Sequence, residues 1–384
     1  MAANQNIVSN FFEDDLGLQG PEFGYITAIR EIPGFLLIFL TALLFRLSLP
    51  HLTALAMIFL AVGYSMFGFA TSFWTIAPWV IISSMGYHTW LQTQTALGMS
   101  MTTESKSGSI LGKLAAINQG GALIAMAFVF VVFRFELLDF RAMFIVCGAL
   151  ALVAAVLVFR FPNMHNGELL EVKPKRERMV LKKDYKLYYN LSLLDGARQQ
   201  IFFSFGLWVL VDHFNLGVPA ISLIMLVTAG LAMFSGPWIG RMIDLHGEKR
   251  MLGIVNIAYI VALLGYALID NTATAIVCYV IYSIIFPLSA MGASVYLRKI
   301  APSRDVAPSL AMGITMQHAA AIVVPIVTGF VLNFVGYQIP FLVASVFALI
   351  TVFVTQKIDP ETQKSQARIE EEQILARAQA TPAD

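Results

Sequence analysis

Gly240-Arg241-Met242-Ile243-Asp244-Leu245-His246-Gly247-Glu248-Lys249-Arg250 is a short hydrophilic stretch caught between two long apolar runs. A run of about 20 apolar residues is what a helix needs to cross a hydrocarbon core of roughly 30 Å. The stretch therefore reads as a tight reversal between two spanning helices. Glycine permits the sharp turn, and Arg241, Lys249 and Arg250 hold the loop on the cytosolic side. The carboxylate of Asp244 can face the positive N-terminus of a neighbouring helix, such as the one starting near Ser109.

The rest of the chain supports a lipid environment. It is 58% hydrophobic and 13% charged, against about 45–50% and about 25% for soluble domains. The mean hydropathy is +0.74. Cys147 and Cys278 both lie inside apolar runs, which excludes a disulfide framework. Residues 1–20 are polar and acidic where the apolar core of a cleavable signal would lie.

Eleven candidate spans follow from the apolar runs: 23–48, 52–73, 76–100, 108–133 and 140–160, then 186–212, 218–242, 251–270, 273–297, 309–333 and 336–355. The expected fold is an all-α membrane protein of two pseudo-symmetric helical bundles. Residues 1–160 form a five-helix bundle, 161–185 a basic linker, 186–355 a six-helix bundle and 356–384 a polar tail. Alternating the spans places 21 of the 25 Lys and Arg residues on one face, eight of them between Arg160 and Lys186. Lys and Arg stay inside, so the linker and the C-terminal tail are expected in the cytoplasm of a bacterial inner (plasma) membrane.

Landmarks recur about 200 residues apart. Asp15-Leu16-Gly17-Leu18 returns as Asn215-Leu216-Gly217-Val218, the pair Asn118 and Gln119 returns as Gln317 and His318, and Asp139-Phe140-Arg141 returns as Gly336-Tyr337-Gln338. Such self-similarity is the mark of transporters built from repeats. The second half has a long segment, Tyr185 to His213, before its first landmark, whereas the first half has only Met1 to Asp14. The first bundle is thus expected to lack its first helix, with 6–12 as that helix's outer stub.

The Gly240–Arg250 stretch resembles the signature loop of the major facilitator superfamily, roughly Gly-x-x-x-Asp-(Arg/Lys)-x-Gly-(Arg/Lys)-(Arg/Lys). Gly240, Asp244, Gly247, Lys249 and Arg250 match, while Leu245 and Glu248 stand where basic residues are usual. In the first half Thr41 and Phe45 replace the glycine and the aspartate, and only Arg46 keeps the pattern. The resemblance implies two bundles that rock about a central cavity. It also implies that the first, second, fourth and fifth helices of each bundle line that cavity, leaving the span at 251–270 to face lipid.

Ionisable side chains inside a membrane are costly and mark candidate sites. Arg198 lies twelve residues past Lys186, about 18 Å along a helix, near the middle of the bilayer. Asp195, three residues earlier, shares its face and can pair with it. The pair reads either as a structural brace or as an anion-binding arginine released by its carboxylate partner. Arg30 and Glu31 lie in the first retained span. Glu31 is a candidate protonation site because burial favours the neutral carboxyl, and Arg30 can snorkel to the interface. His88, Gln92, Asn118, Gln119, Gln199, Tyr282, Gln317 and His318 complete the polar lining. Imidazoles are suited to proton coupling.

No histidine spacing suits a metal, and no phosphate loop or Ser/His/Asp set is present, so neither an enzyme, a metal, a cofactor nor nucleic-acid binding is expected. Two readings stay open. One is a proton-coupled secondary transporter for a small polar or anionic solute, a symporter or antiporter. The other is a facilitator-like scaffold or sensor that moves nothing.

Overall fold

The computed structural model of the protein describes residues 1–36, 47–100, 107–162, 164–165, 168–169 and 181–380. The chain is almost entirely helical. In chain order the helices are α1 (Ala2–Asn10), α2 (Gly20–Phe35), α3 (Leu49–Phe67), α4 (Phe73–Ser100), α5 (Ser107–Arg134), α6 (Phe140–Phe159), α7 (Lys186–Gln200), α8 (Leu207–Asp212), α9 (Val218–His246), α10 (Glu248–Leu268), α11 (Thr272–Ile300), α12 (Ser303–Val335), α13 (Gln338–Thr355) and α14 (Gln366–Ala380). Wider π-helical turns continue α1 through Phe11–Asp15 and join α7 to α8 through Ile201–Gly206.

Among the described residues, eight of these helices are long and apolar enough to cross a bilayer. Their lipid-compatible faces are evident on α6, where Leu150, Val153 and Leu157 are exposed, and on α13, where Val346 and Phe353 are. The expected spans at 76–100 and 186–212 are helical too, but their polar residues dilute the hydropathy. The expected span at 23–48 lies partly outside the described residues.

Two compact units divide the chain. The first comprises 1–174, 203–233 and 321–337. In it α3 packs against both α4 and α6 at glycine contacts. A Cβ on Gly63 would meet Ser83, one on Gly86 would meet the carbonyl of Ala56, and one on Gly148 would meet Ser65. Small residues let helices approach where lipid tails offer no hydrophobic drive. The same device joins α2 to α12, where a Cβ on Gly24 would strike the carbonyl of Pro325 and approach the Cα of Gly329 to 3.1 Å. Phe23 stacks on Trp208 at 5.5 Å, and Phe11 meets Phe144 edge-on at 4.8 Å.

The second unit comprises 175–202, 234–320 and 338–384. Its base is a cluster around Tyr185, Tyr188, Leu252, Tyr296, Ile300 and Ile358. Asp305, near the start of α12, accepts from Lys182 at 2.5 Å and from the Tyr185 hydroxyl at 2.7 Å. Glu248 opens α10 and takes Lys299 at 2.7 Å. The tail is tied down where Tyr296 donates to Gln363 at 2.8 Å and the Ser365 amide to the Ile300 carbonyl at 2.9 Å.

The stretch at 240–250 holds a tight reversal, with α9 running to His246 and α10 starting at Glu248. The reversal is confined to Gly247, at φ +77°, whose amide closes on the Ile243 carbonyl at 2.9 Å. The repeat is in a different register from the one expected. Gly17 (φ +61°) corresponds to Asn215 (φ +54°), Gly20 starts α2 as Val218 starts α9, and Phe140 starts α6 as Gln338 starts α13. Leu18 and Leu216, each following the left-handed residue, donate to carbonyls six positions back, Phe12 and Leu210. Asparagine tolerates positive φ nearly as glycine does, so the match of Gly17 to Gly217 was a near miss by two positions. On the span at 251–270, Ile254, Ile257 and Val261 are exposed, while Asn256 and Tyr259 are 1% and 0% exposed.

Adding one methyl group at the α2–α12 crossing forces backbone apart, which costs about 1–3 kcal/mol. Gly24→Ala should therefore lower the melting temperature of the purified protein. Gly120→Ala, with no atom within 4 Å of the added Cβ, should leave it unchanged.

Candidate functional site

Arg198 is the largest fully buried side chain of the second unit, at 0% exposure. It sits one turn before the π-helical Ile201–Gly206 segment, and such segments recur at functional positions because they re-aim side chains. One guanidinium nitrogen pairs with Asp195 Oδ1 and another donates to the Tyr282 hydroxyl. Its carbon lies 3.6 Å above the centre of the Tyr259 ring, and Phe202 stacks on Tyr282 at 3.6 Å. Cation–π contact and a charge-assisted pair together supply what a desolvated guanidinium loses in water. Only Nε is left without a partner.

Asp195 faces the other way. It lines a cavity of 260 Å³ within the second unit, together with Tyr188, Ser192, Asn256, Ser289, Ser294, Gln317 and Thr351. Gly196 and Gly313 make the room. A Cβ at the first would press on the Cα of Gln317 at 2.8 Å, and one at the second would strike the Tyr188 hydroxyl. Of the polar residues read from the sequence, Asp195, Arg198, Tyr282 and Gln317 are thus brought together. Gln199 and His318 are half-buried on the same two helices. Tyr259, Asn256, Ser192 and Tyr188 escaped sequence reading. The signal was available in an amide and a tyrosine within one apolar run, three residues apart and so on one helical face.

A second polar group lies in the first unit. Glu31 is 7% exposed, while the Arg30 side chain is half in solvent, and the two meet at 3.3 Å. His88 Nε2 is 3.8 Å from Glu31 Oε2. His88 Nδ1 lies 3.0 Å from both the Ser84 carbonyl and the Ser84 hydroxyl, which holds the ring in place with Nε2 toward the carboxyl. Elsewhere in this unit Asn118 donates to Gln94 at 3.2 Å and Gln119 to the Ala229 carbonyl at 3.2 Å. The side chain of Gln92 lies outside the described residues. So do those of Gly240 and Asp244, while Lys249 and Arg250 are exposed.

The family model of the Major Facilitator Superfamily matches residues 189–382. The chain belongs to this superfamily. Solved structures agree on the fold. The nucleoside transporter NupG superposes with a TM-score of 0.76 at 17% identity, over 93% of this chain and 95% of that one. A bacterial homologue of the human lysosomal transporter Spinster, inward-facing and unoccupied, gives 0.70 at 13% identity over 95% of each chain. Its occupied form gives 0.71. No curated protein sequence matches. The protein is an integral membrane transporter whose ligand is a small solute.

One further ionisable group of this facilitator stands out beyond its spans. Glu13, on the turn after α1, has its pKa lifted from the ordinary 4.5 to about 7, first by burial and then by the negative charge of Asp212. The segment is anchored nearby, with Asn10 donating to the Leu216 carbonyl at 3.1 Å and Ser222 to Asn6 at 3.0 Å.

Removing one partner of the Arg198–Asp195 pair strands a buried charge, at a cost of about 3–5 kcal/mol. Asp195→Ala should therefore lower the melting temperature far more than the double change Asp195→Leu with Arg198→Leu. For Glu13 the folded pKa lies above the unfolded one, so its contribution is full below about 4.5 and lost as pH rises toward 7. Melting temperature should fall across that window, and Glu13→Gln should flatten the profile.

Proposed function

We propose that the protein is a proton-coupled secondary transporter that carries a small polar solute by alternating access, with its linker and tail in the cytoplasm of a bacterial inner membrane. The observation that carries this reading is the buried Glu31–His88 pair. A carboxyl and an imidazole 3.8 Å apart are the two side-chain types suited to carrying a proton. Losing that proton leaves a buried carboxylate whose cost depends on what surrounds it. That dependence makes protonation sensitive to conformation, which is what coupling requires.

The solute is placed in the cavity beside Asp195, where Gln317 and the serine hydroxyls hold it. Arg198 pairs with the Asp195 carboxylate and orients it. A nucleoside transporter has the same fold, so nucleosides belong in the first panel of solutes offered.

Proteoliposomes carrying an inward proton gradient should accumulate the solute, and a proton ionophore should abolish the accumulation. Glu31→Gln should reduce the accumulation ratio to about one while retaining solute exchange between the two sides. A Glu31→Gln protein that still accumulates solute as the parent does would remove Glu31 from coupling.

A further inference from the structure

The wall of the cavity in the second unit has a chemical sign. Asp195 is the one formally charged residue among those lining it. Arg198, which neutralises Asp195, lies behind the wall at 0% exposure and is no part of the lining. An anion entering the cavity would meet the carboxylate and no reachable cation.

Two of the neutral groups lean the same way. The Thr351 hydroxyl donates to the Phe347 carbonyl at 2.8 Å, and the Ser289 hydroxyl donates to the Tyr259 oxygen at 3.4 Å. A hydroxyl has one hydrogen to give. Once it is committed, what Thr351 and Ser289 turn to the cavity is lone pairs, beside the Asp195 carboxylate, while Gln317, Ser192 and Ser294 can donate as well as accept.

We infer that this cavity takes a neutral or cationic solute rich in hydroxyl or amino donors, and that it rejects anions. The inference rests on the transporter reading above and narrows its solute class. Solute hydroxyl or amino hydrogens would meet the Asp195 carboxylate and the Thr351 and Ser289 oxygens. The volume, 260 Å³, is that of about eight or nine waters, which suits a molecule of monosaccharide size. Asn256 on α10 and Thr351 on α13 place the site within one half of the repeat, walled by its third and sixth helices as well as by those expected to line a central cavity.

The test uses the full-length protein with single cysteines introduced at Ser294, which lines the cavity, and at Thr362, exposed on the tail. The native Cys147 and Cys278 are buried, and their labelling in the parent is subtracted. Each protein is treated with methanethiosulfonates bearing an ammonium, a hydroxyl or a sulfonate group. Normalised to the rates at Thr362→Cys, the sulfonate should react at Ser294→Cys at least tenfold more slowly than the other two. Asp195→Asn in the Ser294→Cys protein should shrink that ratio. Equal normalised rates would overturn the inference, and so would the absence of labelling by all three, since the cavity would then admit no solute. Equal labelling alongside proton-driven accumulation would sink the solute class alone. Selective labelling without accumulation would sink the transporter reading alone.

Discussion

The burial of Arg198 governs the second half of the molecule. A guanidinium carries five donors and a charge that cannot be titrated away, so the surrounding helices must satisfy it permanently. Asp195 does so from the same helix, Tyr282 from α11 and Tyr259 from α10. Three helices are thereby fixed to one another through one side chain. Phe202, thrown toward Tyr282 by the wide turn that follows α7, closes the group on its remaining side. The cavity next to it inherits a carboxylate held in one orientation with its charge already balanced from behind. A binding wall can then be acceptor-rich without carrying an unopposed charge.

The first half meets the membrane with different chemistry. Its buried carboxyl, Glu31, faces an imidazole rather than a guanidinium, and the neighbouring Arg30 is half in solvent. The Asp195–Arg198 pair, by contrast, is in direct contact and closed in by aromatic rings.

Much of this was legible in the sequence, and the failures have physical causes. The apolar runs disclosed the helices because a bilayer imposes length and hydrophobicity together. Arg198 and Asp195 were found as a pair because a three-residue spacing leaves them on one face. Asn256 and Tyr259 were missed although their three-residue spacing puts them on one face, because a helix with one face to lipid still turns the other inward. The register of the repeat slipped because glycine was followed by identity, when the chain asked only for a residue able to adopt positive φ. Asn215 does that work in the second half. The reversal at Gly240–Arg250 was legible because apolar runs flank it on both sides, and a single left-handed glycine suffices for the turn.

Where such a protein can open follows from what each contact costs to break. Separating Arg198 from Asp195 would expose a desolvated charge on each side, so the interior of the second half is a poor place for movement. In the first unit, by contrast, segments 203–233 and 321–337 are joined to the first half by contacts of another kind. They are a glycine crossing at Gly24 and Gly329, aromatic packing of Phe23 on Trp208, and neutral hydrogen bonds from Asn10, Ser222 and Gln119. Each such hydrogen bond contributes about 0.5–1.5 kcal/mol net, and each donor and acceptor can be satisfied by water once parted. The Glu13 carboxyl near Asp212 weakens this seam further when it ionises. The seam within the first unit is therefore held by dispersion and neutral hydrogen bonds, whereas the brace around Arg198 is held by charge.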